Sequence, residues 1–263
     1  MKFYDTTHRR LAVFEKQATP EFWNTLWKKE DLKKQVSSGK TYHFIEAFTK
    51  RYTPPGGRIL EGGCGTGQVV NCLQRWGYEA YGIDYADRTI QAVRDLFPHL
   101  NLSVQDVRKT NFPNDHFDAY WSLGVIEHFW NGYHEITHEA HRVLKHNGIF
   151  FLSFPAMSPL RKLKARLSWY QPLPRKIESN DFYEFMLDPN RVIKDLSDQG
   201  FSLVHSYSYD ALKGIKDEIT LFQPLTKKLY ASKHVVARGI RLACTLLLGR
   251  LTGHMTLLVL KKT

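Results

Sequence analysis

Two periods of apolar residues alternate along this chain, and the switches between them mark out its elements. Short strand-like runs fall at Arg58 to Leu60, Tyr78 to Ile83, Leu100 to Asp106, Phe117 to Leu123, Ile149 to Phe154, Gly200 to Tyr207 and His254 to Lys261. Between and after them, the spacing predicts helices over Gln68 to Trp76, Ala86 to Phe97, Tyr133 to Leu144 and Arg191 to Gln199. In the third helix Ile136, Ala140, Val143 and Leu144 share one face. The breaker Pro54-Pro55-Gly56-Gly57 precedes the first strand, and Asn114-Asp115-His116 reads as a turn. Lys145-His146-Asn147-Gly148 ends the third helix with a basic last turn and a glycine, which suits free carbonyls. Ahead of the sheet, Phe22, Trp23, Trp27, Tyr42, Phe44, Ile45 and Phe48 among charged residues predict covering helices.

The first strand runs into Glu61-Gly62-Gly63-Cys64-Gly65-Thr66-Gly67 before the first helix begins. Glycines between strand and helix let a ligand approach the backbone and let residues take positive φ. A dinucleotide fingerprint needs a further glycine three positions after the second, and Gln68 stands there. An oxidoreductase is therefore disfavoured. The alternating form E-x-G-x-G-x-G resembles motif I of the class I S-adenosylmethionine-dependent methyltransferases. The nearest resemblance is to the small-molecule type, the methyltransferase type 11 and ubiquinone-pathway O-methyltransferase group.

That resemblance implies an α/β fold: a Rossmann-like, doubly wound, mostly parallel seven-stranded sheet with helices on both faces. It implies S-adenosylmethionine as cofactor, held by Glu61, Gly62, Gly63, Cys64, Gly65 and Gly67. Asp84 closes the second strand about twenty residues on, where ribose-binding acids fall, and Tyr85 would lie beside the adenine. Asp84 can also cap the following helix. Asp106, closing the third strand, corresponds to the acid that bonds the adenine amine, with Val107 near the ring and Ser122 also on the cofactor side. Phe117-Asp118-Ala119-Tyr120-Trp121-Ser122-Leu123 resembles the family's strand nearest the methyl group.

Gly124-Val125-Ile126-Glu127-His128-Phe129 follows, and it resembles the E-H segment of small-molecule members. Ubiquinone-pathway relatives carry a Glu three positions before the Glu-His pair and use the three residues to ligate a divalent metal. Gly124 holds that position here, so no essential metal is expected. His128 is the candidate base, since imidazole titrates near neutrality, and a purely structural role is its alternative. Glu127, Trp169 and Tyr183 are candidate acceptor-binding residues, and Tyr4, Trp23 or Trp27 could face the site. His134, His138 and His141 suit a wet helix face better than a metal site. The [DN]-P-P-[YF] clamp of base-amino methylation is absent, because Trp121-Ser122-Leu123-Gly124 occupies its place.

Composition adds a second theme. Lys and Arg number 37 against 26 Asp and Glu, and the excess is local. Residues 155–176 carry Arg161, Lys162, Lys164, Arg166, Arg175 and Lys176, and residues 224–250 carry Lys227, Lys228, Lys233, Arg238, Arg241 and Arg250, with no acid in either. These mark basic insertions at about 155–190 and 224–250 of a catalytic domain over 54–263, preceded by a helical cover over 1–53. In the second insertion Val236, Ile240, Ala243, Leu247 and Leu251 repeat at helical spacing, with Arg238, Arg241 and Thr245 on another face. Leu242 to Gly249, the longest uncharged stretch there, is too short to cross a bilayer. Three roles fit such a helix: contact with an anionic membrane surface, packing on the protein as a lid, or contact with an acidic substrate. Cys64, Cys72 and Cys244 form no C-x-x-C pair, and no apolar leader follows Met1, so a cytoplasmic protein, peripheral to membranes at most, is expected. The acceptor is expected to be a small or lipid-linked molecule rather than nucleic acid. A silent cofactor-binding scaffold and an RNA methyltransferase are the alternatives.

Overall fold

The computed structural model describes residues 1–15, 17–26, 29–174, 181–232 and 234–263, without the side chains of 26 and 29–31. Its centre is a seven-stranded sheet built from β3 (Arg58–Gly62), β4 (Glu79–Asp84), β5 (Asn101–Val104), β6 (Phe117–Leu123), β7 (Leu144–Pro155), β10 (Phe201–Tyr209) and β11 (Met255–Lys262). The order across it is β10-β11-β7-β6-β3-β4-β5. Only β11 runs against its neighbours. This is the doubly wound sheet the sequence predicts.

Strand side chains point alternately to the two faces, and the central strands are dry on both, so β7 and β11 read as near-continuous apolar runs while the edge strands β5 and β10 are partly exposed. Ile59, Trp121, Phe151, Leu257 and Val259 face one side, with α2 (Lys29–Ser38), α3 (His43–Tyr52), α4 (Gln68–Arg75) and α5 (Asp87–Leu96). Leu60, Tyr120, Phe150, Leu258 and Leu260 face the other, with α6 (His134–Val143) and α8 (Pro189–Ser197). The Trp121 and Phe151 rings stack 4.0 Å apart, and Trp121 Nε1 donates to Thr49 Oγ1, which fastens α3 to the sheet.

A second sheet was not legible in the sequence. β1 (Lys2–Asp5) and β2 (Arg10–Phe14) form a hairpin, extended by β8 (Gln171–Pro172) and β9 (Phe182–Met186) in the order β8-β1-β2-β9. Residues 1–53 are therefore not a wholly helical cover. The helices begin only with α1 (Pro20–Leu26), after the hairpin. Asp5 folds the turn by accepting from the His8 backbone N–H and from Arg10 Nε, with Arg9 in the left-handed region at φ 53°. Ala12, Phe14, Phe182 and Phe185 join the apolar layer over α6 and α8. A second difference lies at the end of α6, where Asn147, not Gly148, takes the positive φ of 64° and β7 already begins at Leu144. Asparagine tolerates that conformation better than most side chains, so the joint needs no glycine there.

Gly62 closes β3 for a packing reason. A Cβ there would collide with the hydroxyl of Tyr120, itself fully buried in the core. Gly62→Ala should lower unfolding free energy by about 1–3 kcal/mol, the usual cost of overpacking, read as a fall in the urea midpoint. An unchanged midpoint would mean that Tyr120 is free to move aside.

Candidate functional site

The chain leaves β3 for β4 and β5 on one side, then returns to β6 on the other. Ligands of open α/β sheets bind in the crevice at such a switch, outside the carboxyl ends of the strands. A cleft of about 450 Å³ opens there. A smaller one of about 300 Å³, lined by His8, Arg10, Tyr133 and Arg191, shares no residue with it.

One wall of the larger cleft is the glycine turn. Gly63, Gly65 and Gly67 take φ of 73°, 50° and 69°, a run that side chains resist. A Cβ on Gly65 would meet nothing within 4 Å, so its backbone stands bare, whereas one on Gly63 would strike Val125. Glu61 is 4% exposed and its Oε2 has no hydrogen-bond partner among the described residues, while burial drives its carboxyl well above the usual carboxylate range. An ammonium or sulfonium at that oxygen would reverse the shift, and this orphaned atom is what fits the cleft to a cationic adenosyl ligand. Cys64 also lines the cleft, its thiol pushed up by burial.

Asp84 anchors the turn to the next strand. Its Oδ2 accepts from the Gly65 N–H at 2.8 Å and its Oδ1 from the Ala86 N–H at 2.9 Å. Each oxygen keeps a lone pair, so the carboxylate can serve turn, helix start and two ribose hydroxyls together. Tyr85 lines the cleft and donates to the Ala18 carbonyl, tying the amino-terminal segment to the rim; burial pushes its hydroxyl up to about 12. Asp106 and Val107 complete this wall. The Asp106 carboxylate is gripped by Arg108 through Nε and through Nη2 at 2.6 Å, a partner sequence reasoning missed. Gln68, whose side chain bonds Ser38 and Lys40, closes the opposite rim with Tyr42.

The far wall is Leu123, Gly124, Val125, His128 and Phe129, with Trp23 of α1. Trp23 meets the His128 ring edge-on at 5.3 Å. His128 Nδ1 lies 2.7 Å from the Tyr183 carbonyl, and because a carbonyl only accepts, Nδ1 carries the hydrogen. Nε2 is then the acceptor of a neutral ring. Burial lowers the His128 pKa and keeps the ring uncharged.

Several sequence candidates lie elsewhere. Trp169 is 67% exposed and outside the cleft; it follows α7 (Pro159–Arg166), which Arg161 fixes by bonds to Glu218 and the Ala156 carbonyl. Tyr4 packs against Leu11, Met157 and Met186. Trp27, Arg175, Lys176 and Lys233 fall outside the described residues. Gly62 and Ser122 are strand-end residues buried behind the wall, and Gly67 opens α4 against Leu102 rather than lining the cleft. Tyr183 sits behind His128, ring to ring at 5.1 Å, so it orients the imidazole rather than walling the cleft, and burial pushes its hydroxyl up to about 12. Glu127 is 2% exposed and absent from the cleft lining, which argues against direct acceptor contact.

Glu127 has another neighbour. One donor atom each from Glu127, His128 and Glu184 lie within 4.8 Å of one another, the only such grouping of three or more among the described residues. Glu184 sits on β9, so spacing along the chain could not foretell it. These three could hold a cation. His134, His138 and His141 form no such group.

Known proteins agree with this geometry. The family described as "Methyltransferase domain" matches residues 60–152. A "Probable S-adenosylmethionine-dependent methyltransferase" of Mycolicibacterium smegmatis is 29% identical over 97 residues, which cover 37% of this chain and 37% of that relative. The TehB-like SAM-dependent methyltransferase from Corynebacterium glutamicum superposes with a TM-score of 0.56 at 15% identity, covering 93% of this chain and 100% of that one. The [4+2]-cyclase SpnF gives 0.58 at 13% identity, covering 95% and 98%. At such identities the superpositions speak for the fold alone. With the family match over residues 60–152 and the relative added, the sheet and cleft described above are similar to those of class I S-adenosylmethionine-dependent methyltransferases.

Proposed function

We propose that this chain moves the methyl group of S-adenosylmethionine to an oxygen, nitrogen or carbon nucleophile of a small or lipid-linked acceptor, with His128 as base. The observation that carries this reading is that His128 and the Asp84-anchored glycine turn line one cleft. Bound there, S-adenosylmethionine supplies a methyl carbon activated for in-line attack by its sulfonium. Gly63, Gly65, Asp84, Tyr85, Asp106 and Val107 hold the donor, and Glu61, which lines the same cleft, offsets its positive charge. Holding acceptor and donor at near-attack distance can remove several kcal/mol from the barrier, up to about 7–11 in ideal cases. His128 Nε2 takes the acceptor proton while the Tyr183 carbonyl steadies the opposite nitrogen. Trp23, which meets the His128 ring, and Phe129 line the same cleft. The free thiols Cys64, Cys72 and Cys244 suit a cytoplasmic setting.

The reading needs no metal. Gly124 stands where the metal-using relatives carry their third ligand, so the set along the chain is incomplete, although burial pushes the Glu127 carboxyl well above its usual range. Dialysis against a chelator should leave turnover unchanged. Loss of turnover restored by magnesium or manganese would instead make ligands of Glu127, His128 and Glu184.

Incubation with labelled donor and fractionated cell extract tests the activity as a whole. One small or lipid-linked species should take up label. Saturable donor binding with no label transferred to any fraction would favour a silent binding protein.

A further inference from the structure

The added basic segments carry an apolar surface turned to solvent. Of the twenty-one large apolar side chains exposed among the described residues, fifteen lie in 163–169 and 221–251. The helices there are α7, α10 (Gln223–Ala231) and α11 (Val235–Thr252), and α11 packs beside both α7 and α10. On α11 the stripe legible in the sequence, Val236, Ile240, Leu247 and Leu251, is exposed, Leu247 by 80%. The inner side is the other one. Ala237 is buried there, and Arg241 donates to the Leu229 and Ser232 carbonyls. Gly249 seats the helix so tightly that a Cβ would stand 3.0 Å from the Ser208 carbonyl oxygen. The stripe therefore does not close over the protein as a lid. Surface helices ordinarily turn such a stripe inward, and an exposed apolar patch marks an interaction site.

Charge selects what covers it. Lys162 and Lys164 are tied to Asp188 and Glu218, but Arg166, Lys227, Lys228, Arg238 and Arg250 have no carboxylate within ion-pair distance among the described residues. A second copy of this chain would set like charges against like. A nucleic acid would meet the charges and leave the leucines in water. An anionic lipid interface takes both, with leucines at the acyl boundary and bases among the headgroups. Crossing the bilayer is not the mode, since no described helix is long and apolar enough.

We propose that the face formed by α7, α10 and α11 docks on an anionic bilayer surface. None of these helices lines the cleft, and the link between the two runs through one helix and one ring pair. Helix α11 packs on α9 (Ala211–Glu218), which continues from the end of β10, and there Tyr209 meets Tyr42 of the cleft wall with ring centroids 5.4 Å apart. A lipid-linked acceptor held at the docked face would reach the cleft past Tyr42. This last consequence rests on the proposed function, whereas docking itself does not.

Co-sedimentation of the full chain with vesicles of phosphatidylcholine alone, or mixed with phosphatidylglycerol, decides it. Binding should appear on the mixed vesicles at low salt and weaken at least about tenfold on phosphatidylcholine or at high salt. Lys227→Ala with Lys228→Ala should cost about 30-fold, at roughly fivefold per charge. Leu246→Glu with Leu247→Glu should cost about 100-fold, from two lost apolar insertions. All four side chains are exposed, so thermal unfolding should be unchanged and the readout is independent of methyl transfer. Equal binding to both vesicle types, no binding at low salt, or binding unaltered by the leucine pair would overturn the proposal. So would a sedimentation-velocity dimer abolished by the leucine pair, which would give the face to a second copy.

Discussion

Replacing Asp84 with alanine should weaken binding of S-adenosylhomocysteine by about 10²-fold or more, because two functions reside in one carboxylate. The first is ligand contact: hydrogen bonds to a charged group contribute about 1.5–3 kcal/mol each, and two ribose hydroxyls would lose theirs. The second is preorganisation. Asp84 is 7% exposed and holds the Gly65 and Ala86 N–H groups at 2.8 and 2.9 Å, so its removal frees the turn that must present bare backbone. Asp84→Asn keeps one acceptor oxygen and should fall between wild type and alanine. Calorimetric titration reads all three proteins. Equal affinities would remove Asp84 from the site.

Replacing His128 with asparagine should lower kcat by about 10²–10⁴-fold, the usual contribution of a positioned base, while donor affinity stays within a few-fold. Asparagine is informative because its amide can still donate to the Tyr183 carbonyl, so support of the loop survives and only the acceptor nitrogen is lost. Alanine should cost at least as much turnover. The pH profile gives a second readout. The reaction needs neutral His128, and burial sets its pKa below the ordinary histidine value of 6.5. Turnover should therefore hold through that value and fall only as acid reaches the lowered pKa. The asparagine variant should lack this acid limb. Wild-type turnover in H128N, with the limb retained, would assign His128 a structural task.

How far the sequence could be read follows from the range of each signal. The sheet was legible because its central strands are apolar runs and turn signals separate the rest, and the glycine turn because bare backbone has few other uses. Asp84 and Asp106 were legible as strand ends. The β1–β2 hairpin was not, since strands of 4 and 5 residues carry too little pattern to stand out from aromatic helices nearby. Glu184 and the Tyr183 carbonyl reach His128 from a strand of the second sheet, 55 residues along for Tyr183, and no local spacing encodes that approach. Trp169 shows the limit of composition, because an aromatic residue announces burial or contact without saying in which direction it points. The α11 stripe shows the same limit for periodicity. Its spacing defined a face, and only packing against β10 revealed that the face looks outward.

Binding of S-adenosylmethionine in the cleft at the ends of β3, β4 and β6 underlies both predictions above. Isothermal titration of the folded wild-type chain with S-adenosylmethionine and S-adenosylhomocysteine is its most direct test. Saturable heat at one site per chain, lost in D84A, is the predicted result. No heat with either compound from protein that unfolds cooperatively would contradict the account.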